Sequence, residues 1–306
     1  MSPSSLFRSF SSSLKKELFG YGEYRTTGSR IYFRLVEGFL LAYTIHYCWS
    51  WGNYIQQNIS TVLLPLGLAN YVDVSFLFDH NIALFNAGLV AVLGLSGFLR
   101  LWRPAYLIAL GFFHLQYVAR FSLGEISHGS NLVGMGVLGL GLALLAFRSE
   151  YKRRRFVFGY LYFFIGLGYT SAAACKLIGT GLHWIDGRHL LMWIGERKID
   201  TISKFGAFEP NAFQDMVLAE YHVGTLALTF GLLAELLSFL MWWRTPRYII
   251  VSLVAIMHIG TEISMNIFFP ATTYLLIILA LPWHRAIDWL LNTISSPSVS
   301  SSKRPA

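Results

Sequence analysis

Eight stretches of predominantly apolar residues, each set off from the next by a polar connection, leave this chain few ways to fold. In water, so many long apolar runs have no core large enough to hide in, whereas a bilayer accepts each as a helix of about 20 residues rising 1.5 Å per residue. The stretches are 31–51, 80–99, 104–122, 130–147, 157–179, 221–243, 248–268 and 271–284. The last, ATTYLLIILALPW, would cover only about 20 Å and reads as a tilted or re-entrant helix. Charged residues make up 13% of the chain, about half the usual share for a soluble domain. The expected fold class is all-α: a polytopic transmembrane helix bundle of about eight spans, seven plus a short or re-entrant last helix.

The formal net charge of +8 does not point to nucleic acid, because the Lys and Arg residues fall in alternate connections rather than in one patch. Residues 1–30 carry five, 52–79 none, the turn after the second stretch Arg100 and Arg103, 123–129 none, RSEYKRRRF five, and RTPR two. Basic connections stay on the cytoplasmic side of a membrane, so both termini are expected in the cytoplasm if all eight stretches span. Residues 1–30 lack the apolar core of a signal peptide and read as a solvated N-terminal tail with a short amphipathic helix near 14–19. The transmembrane domain is expected over 31–290, with an ordered outer cap at 180–220, and 291–306 reads as a disordered tail. Cys48 and Cys175 both fall inside expected spans and read as buried, inert thiols.

Ionisable groups inside a bilayer are costly and mark sites or pairs. His46, His114, Arg120, Lys176, His258, Glu262 and Asn266 lie in the outer halves of their stretches, and Asn86, His128 and His222 begin theirs at the same side. Candidate chemistry therefore converges on the outer leaflet, while Arg34, Glu37 and Glu235 sit deeper. HIGTEISMN places His258, Glu262 and Asn266 at i, i+4 and i+8, one face of a helix, so Glu262 is expected to orient the His258 imidazole for acid–base work. Glu235 must pair or be protonated, with Arg34 or Arg120 as expected partners. Glycines 134, 136, 139 and 141 point to close helix packing. There is no HExxH, no Glu-x-x-His repeat and no cysteine ligand set, and no metal is expected.

The run YTSAAACKLIGTGLHWIDG, followed by LLMW, resembles the signature of the vitamin K-dependent gamma-carboxylase-like family, also called the horizontally transferred transmembrane domain (HTTM) family. There a helix ends in small residues and Lys-Leu, then a Trp and an x-x-Gly turn; here these are Lys176, Leu177, Trp184 and Gly187. A second match is LLAELLSFLMWWRTPRYIIVSLVAIMHIGTEISMNIFFPATTYLLIILALPW, with an acidic residue, a basic turn, a late-helix histidine and a Phe-Pro break. A third is His128 in SHGSNL. The resemblance covers roughly 31–290. It implies that Lys176 is the base acting on a reduced naphthoquinone, that His258 is the late-helix histidine and that His128 belongs to the same site. The family's carboxylases continue into a large luminal domain, so quinol or isoprenoid chemistry is expected here rather than glutamate carboxylation.

The leading expectation is thus a membrane enzyme acting on a lipid-soluble small molecule, with a vitamin K-like reduced quinone as cofactor. Its catalytic residues are Lys176, His258, Glu262 and His128, and Trp184, Asn266, His114, Arg120 and Glu235 bind substrate. A desolvated lysine against an apolar wall is a known route to an amine base. Two alternatives stand beside it. One is a non-enzymatic accessory, export or immunity protein for a peptide or lipid, with a partner protein. The other is a membrane-bound terpene cyclase-like enzyme, in which aromatic rings stabilise prenyl cations.

Overall fold

The computed structural model describes residues 3–20, 23–55, 65–124 and 128–295. Among these the chain forms twelve α-helices and no strand. All eight apolar stretches are helical: α2 (Thr27–Tyr54), α3 (His80–Phe98), α4 (Ala105–Ser122), α5 (His128–Ala146), α6 (Glu150–Thr180), α9 (Tyr221–Leu236), α10 (Arg244–Met265) and α11 (Pro270–Ala280). The others are α1 (Pro3–Phe19), α7 (Gly187–Phe205), α8 (Ala212–Ala219) and α12 (Trp283–Ser295).

Five helices are long and apolar enough to cross a membrane: α3, α5, α6, α9 with the 3-10 turn that follows it, and α10. A sixth is added if α11 and α12, bent by 55° at residues 281–282, count as one broken span. Of the other expected spans, α2 carries Arg30, Arg34 and Glu37 and α4 carries His114, Gln116 and Arg120. Those side chains lower the mean hydropathy of helices that are otherwise long enough.

Side-chain caps start several of these helices. Thr26 accepts the Ser29 N–H at the head of α2, Asp79 the Ile82 N–H at α3, and Asn211 with Gln214 closes a reciprocal capping box on α8. The glycines of α5 permit close packing, as their spacing suggests. A Cβ at Gly136 would stand 2.7 Å from Leu40, and one at Gly139 2.7 Å from Tyr160, so α5 is wedged against both α2 and α6.

Helices α5, α6, α9, α10 and α11 pack pairwise in a closed ring, and α2, α3 and α4 form a second group against α5. The cap expected at 180–220 holds two helices, α7 and α8. The amphipathic helix expected near 14–19 is the last part of α1, which docks on α6 with Leu18 buried and its carbonyl against Gly159, while residues 11–13, 15 and 16 are exposed. Arg247 fastens the contact by donating to the Glu17 carbonyl at 3.1 Å. At the other terminus α12 runs to Ser295, with the Gly28 N–H donating to Asp288 at 2.7 Å. Residues 296–306, the rest of the expected tail, lie outside the described residues. Of the two thiols, Cys48 is buried, as expected, but Cys175 is exposed.

Candidate functional site

The helix ring encloses a half-open cavity of about 1230 Å³. Its wall is mainly apolar and aromatic, and the cap closes one end with Trp184, Leu190, Trp193 and Phe213. Its lining includes four ionisable side chains, Lys176 and Tyr169 from α6, Glu235 from α9 and His258 from α10, beside the smaller polar groups of Asn131, Ser171, Thr261, Ser264 and Thr272.

Side chains on a helix lean toward its N-terminus. α6 runs toward the cap and α9 runs away from it, so Lys176 leans back into the bundle while Glu235 leans toward the cap. They meet as an ion pair, with Nζ 2.7 Å from Oε1 and 2.6 Å from Oε2. The Glu235 backbone sits level with Thr170, whose hydroxyl lies 3.5 Å from its carbonyl. Lys176 therefore does not reach outward to the bundle's edge. Its side chain keeps 27% of its exposure and that of Glu235 10%. The ammonium also stands 4.9 Å from the centre of the Trp184 ring, close enough for cation–π attraction.

A break in α9 aims the glutamate. Directly after Leu236 the helix tightens into a 3-10 segment, Leu237–Trp242. Thr170 occupies the transition, accepting the Phe239 N–H at 2.9 Å and facing the Glu235 and Leu236 carbonyls. Tight turns of this kind inside a helix often mark functional positions.

Two helical turns before Lys176, and hence about 10 Å deeper along the same face, the Tyr169 hydroxyl is hydrogen-bonded to His258 Nε2. The imidazole Nδ1 is buried and has no hydrogen-bonding partner among the described residues. Phe269 packs on the ring edge-on at 5.4 Å. Elsewhere the wall is open: a Cβ added at Gly168, one residue before Tyr169, or at Gly260, both lining the cavity, would meet nothing within 4 Å among the described residues.

The cap is tied to the end of α10. Arg197 donates to the Met265 carbonyl at 3.3 Å, Asn211 to Ile263 at 2.7 Å and Gln214 to Ser264 at 3.1 Å, which are the carbonyls a helix end leaves unpaired. At the cap's entry Asp186 caps α7 and binds Arg188. Hydrogen bonds from the Arg188 side chain, and then from its backbone N–H, hold the Asp186 carboxyl well below the ordinary carboxylate range.

No protein-family model, curated protein or solved structure matches this chain.

The cavity gathers four of the residues expected from the sequence, Lys176, Trp184, Glu235 and His258, and among the described side chains leaves out Glu262, Asn266, His114 and Arg120. Glu235 pairs with neither Arg34 nor Arg120. Arg34 is held by Glu37 and the Phe98 carbonyl, and Arg120 lies 4.0 Å over the Tyr47 ring in the second helix group. Glu262 does not orient His258. It is exposed, and its side chain has no hydrogen bond or ion pair among the described residues; Tyr169 takes its place. Asn266 ends α10 in the left-handed conformation (φ 52°), a backbone role outside the cavity. His114 is exposed on α4, stacked at 18° on Tyr117, and does not line the cavity. His128 begins α5, but its side chain lies outside the described structure. Among the described residues no three His, Cys, Asp or Glu side chains gather as a metal site would require. Tyr169, Thr170 and Trp193 were not expected. The seven-residue step from Tyr169 to Lys176 was the available signal for the first of them.

Proposed function

We propose that this chain is an integral membrane enzyme that binds a lipid-soluble molecule with a small oxygen-bearing head, of the quinol or isoprenoid kind implied by the resemblance around Lys176, and exchanges protons with it. The observation that carries this reading is an ion pair, Lys176 with Glu235, standing inside a mainly apolar cavity rather than on a surface. Such pairs are poor stabilisers compared with apolar packing, and ionisable groups at membrane depth mark function by default. The volume of about 1230 Å³, somewhat above the usual range of about 300–1,000 Å³ for ligand sites, suits a ring or prenyl head with part of its chain.

Within such a complex Lys176 offers its third N–H donor to a head oxygen, and Glu235 accepts a hydroxyl proton. Tyr169 and His258 form a second proton-carrying couple two turns deeper. The lysine acts as half of a proton-sharing pair rather than as a free amine. The same saturation of Glu235 by Lys176 favours a second reading, a carrier that binds such a lipid without transforming it.

Turnover separates the two. Lys176→Met in membranes is expected to lower conversion of added naphthoquinol or prenyl lipid by at least about 100-fold, the usual scale of lost acid–base catalysis. Unchanged turnover in correctly inserted protein would sink the catalytic role. The cavity is tested separately by Gly168→Leu and Gly260→Leu. Each is expected to fold at least as well as the parent, because replacing a helical glycine relieves roughly 0.5–1 kcal/mol. Each should nevertheless lose ligand-dependent quenching of the fluorescence of Trp184 and Trp193.

A further inference from the structure

A second charged cluster lies at the end of the bundle opposite the cap. Glu37 is fully buried on α2, and its two oxygens are already heavily engaged. Arg100 donates to both, at 2.5 and 2.8 Å, Arg34 donates at 3.0 Å and the Tyr106 hydroxyl at 2.8 Å. Arg100 holds this position from the turn between α3 and α4 with φ at 63°, a left-handed conformation that a non-glycine residue adopts at a cost of roughly 1–2 kcal/mol.

Arg153, on the first turn of α6, comes within electrostatic reach of Arg34, Arg100 and Glu37. Its guanidinium has no hydrogen-bond or ion-pair partner among the described residues, and its Nε is buried, as is the unpartnered Nε of Arg100. The nearby carboxylate, Glu150, is engaged by Arg154 at 3.3 Å and Arg30 at 3.8 Å. Arg153 feels Glu150 as well as Glu37, so five guanidinium groups, those of Arg30, Arg34, Arg100, Arg153 and Arg154, share two carboxylates that are already engaged, leaving an excess of three positive charges in a partly buried place. Charges so placed call for a counter-ion.

We infer that this cluster is a binding site for a phosphate group, with Arg153 supplying the free guanidinium. Arginine's planar fork matches phosphate oxygens in pairs. The surroundings reinforce the choice of an anion. Among the described residues sixteen Lys and Arg face five Asp and Glu at this end of the bundle, whereas six face ten at the cap end and in the cavity. The phosphate can come from an anionic phospholipid head or from solution. The inference does not depend on the cavity or its chemistry.

The test uses the full chain in nanodiscs of phosphatidylcholine alone, of phosphatidylcholine with phosphatidylglycerol, and of phosphatidylcholine with inorganic phosphate in the buffer. Wild type, Arg153→Gln and Arg148→Gln are compared by thermal midpoint and by phospholipid retained after delipidation. Arg148 is exposed on the same basic turn and controls for diffuse charge. Either phosphatidylglycerol or inorganic phosphate is expected to raise the wild-type midpoint, and which of them does so names the source. Arg153→Gln should abolish the gain and bind roughly tenfold more weakly, the scale of a lost charge-assisted hydrogen bond, while Arg148→Gln keeps it. No gain from either anion, or equal losses in the two variants, would overturn the inference.

Discussion

Replacing Glu235 by Leu is expected to cost about 3 kcal/mol of stability, because it leaves Lys176 charged and unpaired in an apolar cavity. Breaking a buried pair from one side typically costs about 3–5 kcal/mol, and the lower end applies because Lys176 retains 27% of its side-chain exposure. Lys176→Met exposes the same deficit from the other side, with Glu235 stranded. The double change, Lys176→Met with Glu235→Leu, should recover most of the loss, since a buried pair replaced by apolar groups of similar volume is often close to neutral. Unfolding of the four proteins in one detergent gives the coupling energy directly. Single changes that each cost less than about 0.5 kcal/mol, the ordinary surface scale, would mean that the two groups do not depend on one another. The recovered double variant should remain inactive, which separates the pair's role in the fold from its role in the site.

An effect of similar size is expected at Gly187, which begins α7. Here α7 and α9 touch backbone to backbone. The Gly187 N–H donates to the Thr225 hydroxyl at 2.9 Å, a Cβ would run into the Tyr221 carbonyl, and a Cβ at Gly224 would stand 3.0 Å from the Gly187 carbonyl. Gly187→Ala therefore cannot be absorbed by a flexible side chain, and the cap must lift. Overpacking against other side chains costs about 1–3 kcal/mol, and a clash with a fixed carbonyl belongs at or above the top of that range. Limited proteolysis between residues 186 and 220 should detect the lifted cap. Gly195→Ala on the same helix, where a Cβ meets nothing within 4 Å, should leave it closed. Equal protease resistance of the two variants would contradict the packing argument.

The helices were legible because apolar runs announce themselves whatever their neighbours. What the sequence hid were features that depend on which helices end up adjacent. Glu235 was readable as a costly intramembrane acid, yet its partner could not be read, since Lys176 lies 59 residues away and reaches it only because antiparallel helices lean their side chains toward one another. The i, i+4, i+8 pattern of His258, Glu262 and Asn266 assumed a helix that continues beyond Met265. It ends there, so Asn266 serves as a cap, and Glu262 faces outward. The docking of α1 was hidden for a related reason. Its SSSLKKELF sequence is polar enough to look solvated, and only the complementary groove at Gly159 and Arg247 shows where its apolar side goes. Trp184 and Gly187 were identifiable from the run after Lys176, and the backbone crossing now explains the glycine.

Mass spectrometry of molecules that stay with the purified protein tests the central claim most directly, comparing wild type with Gly168→Leu/Gly260→Leu. The account predicts that wild type retains about one equivalent of a lipid-soluble molecule bearing a hydroxyl or carbonyl head, and that the cavity-filled variant, equally well folded, loses it. Identical extracts from both proteins, containing bulk phospholipid alone, would contradict it.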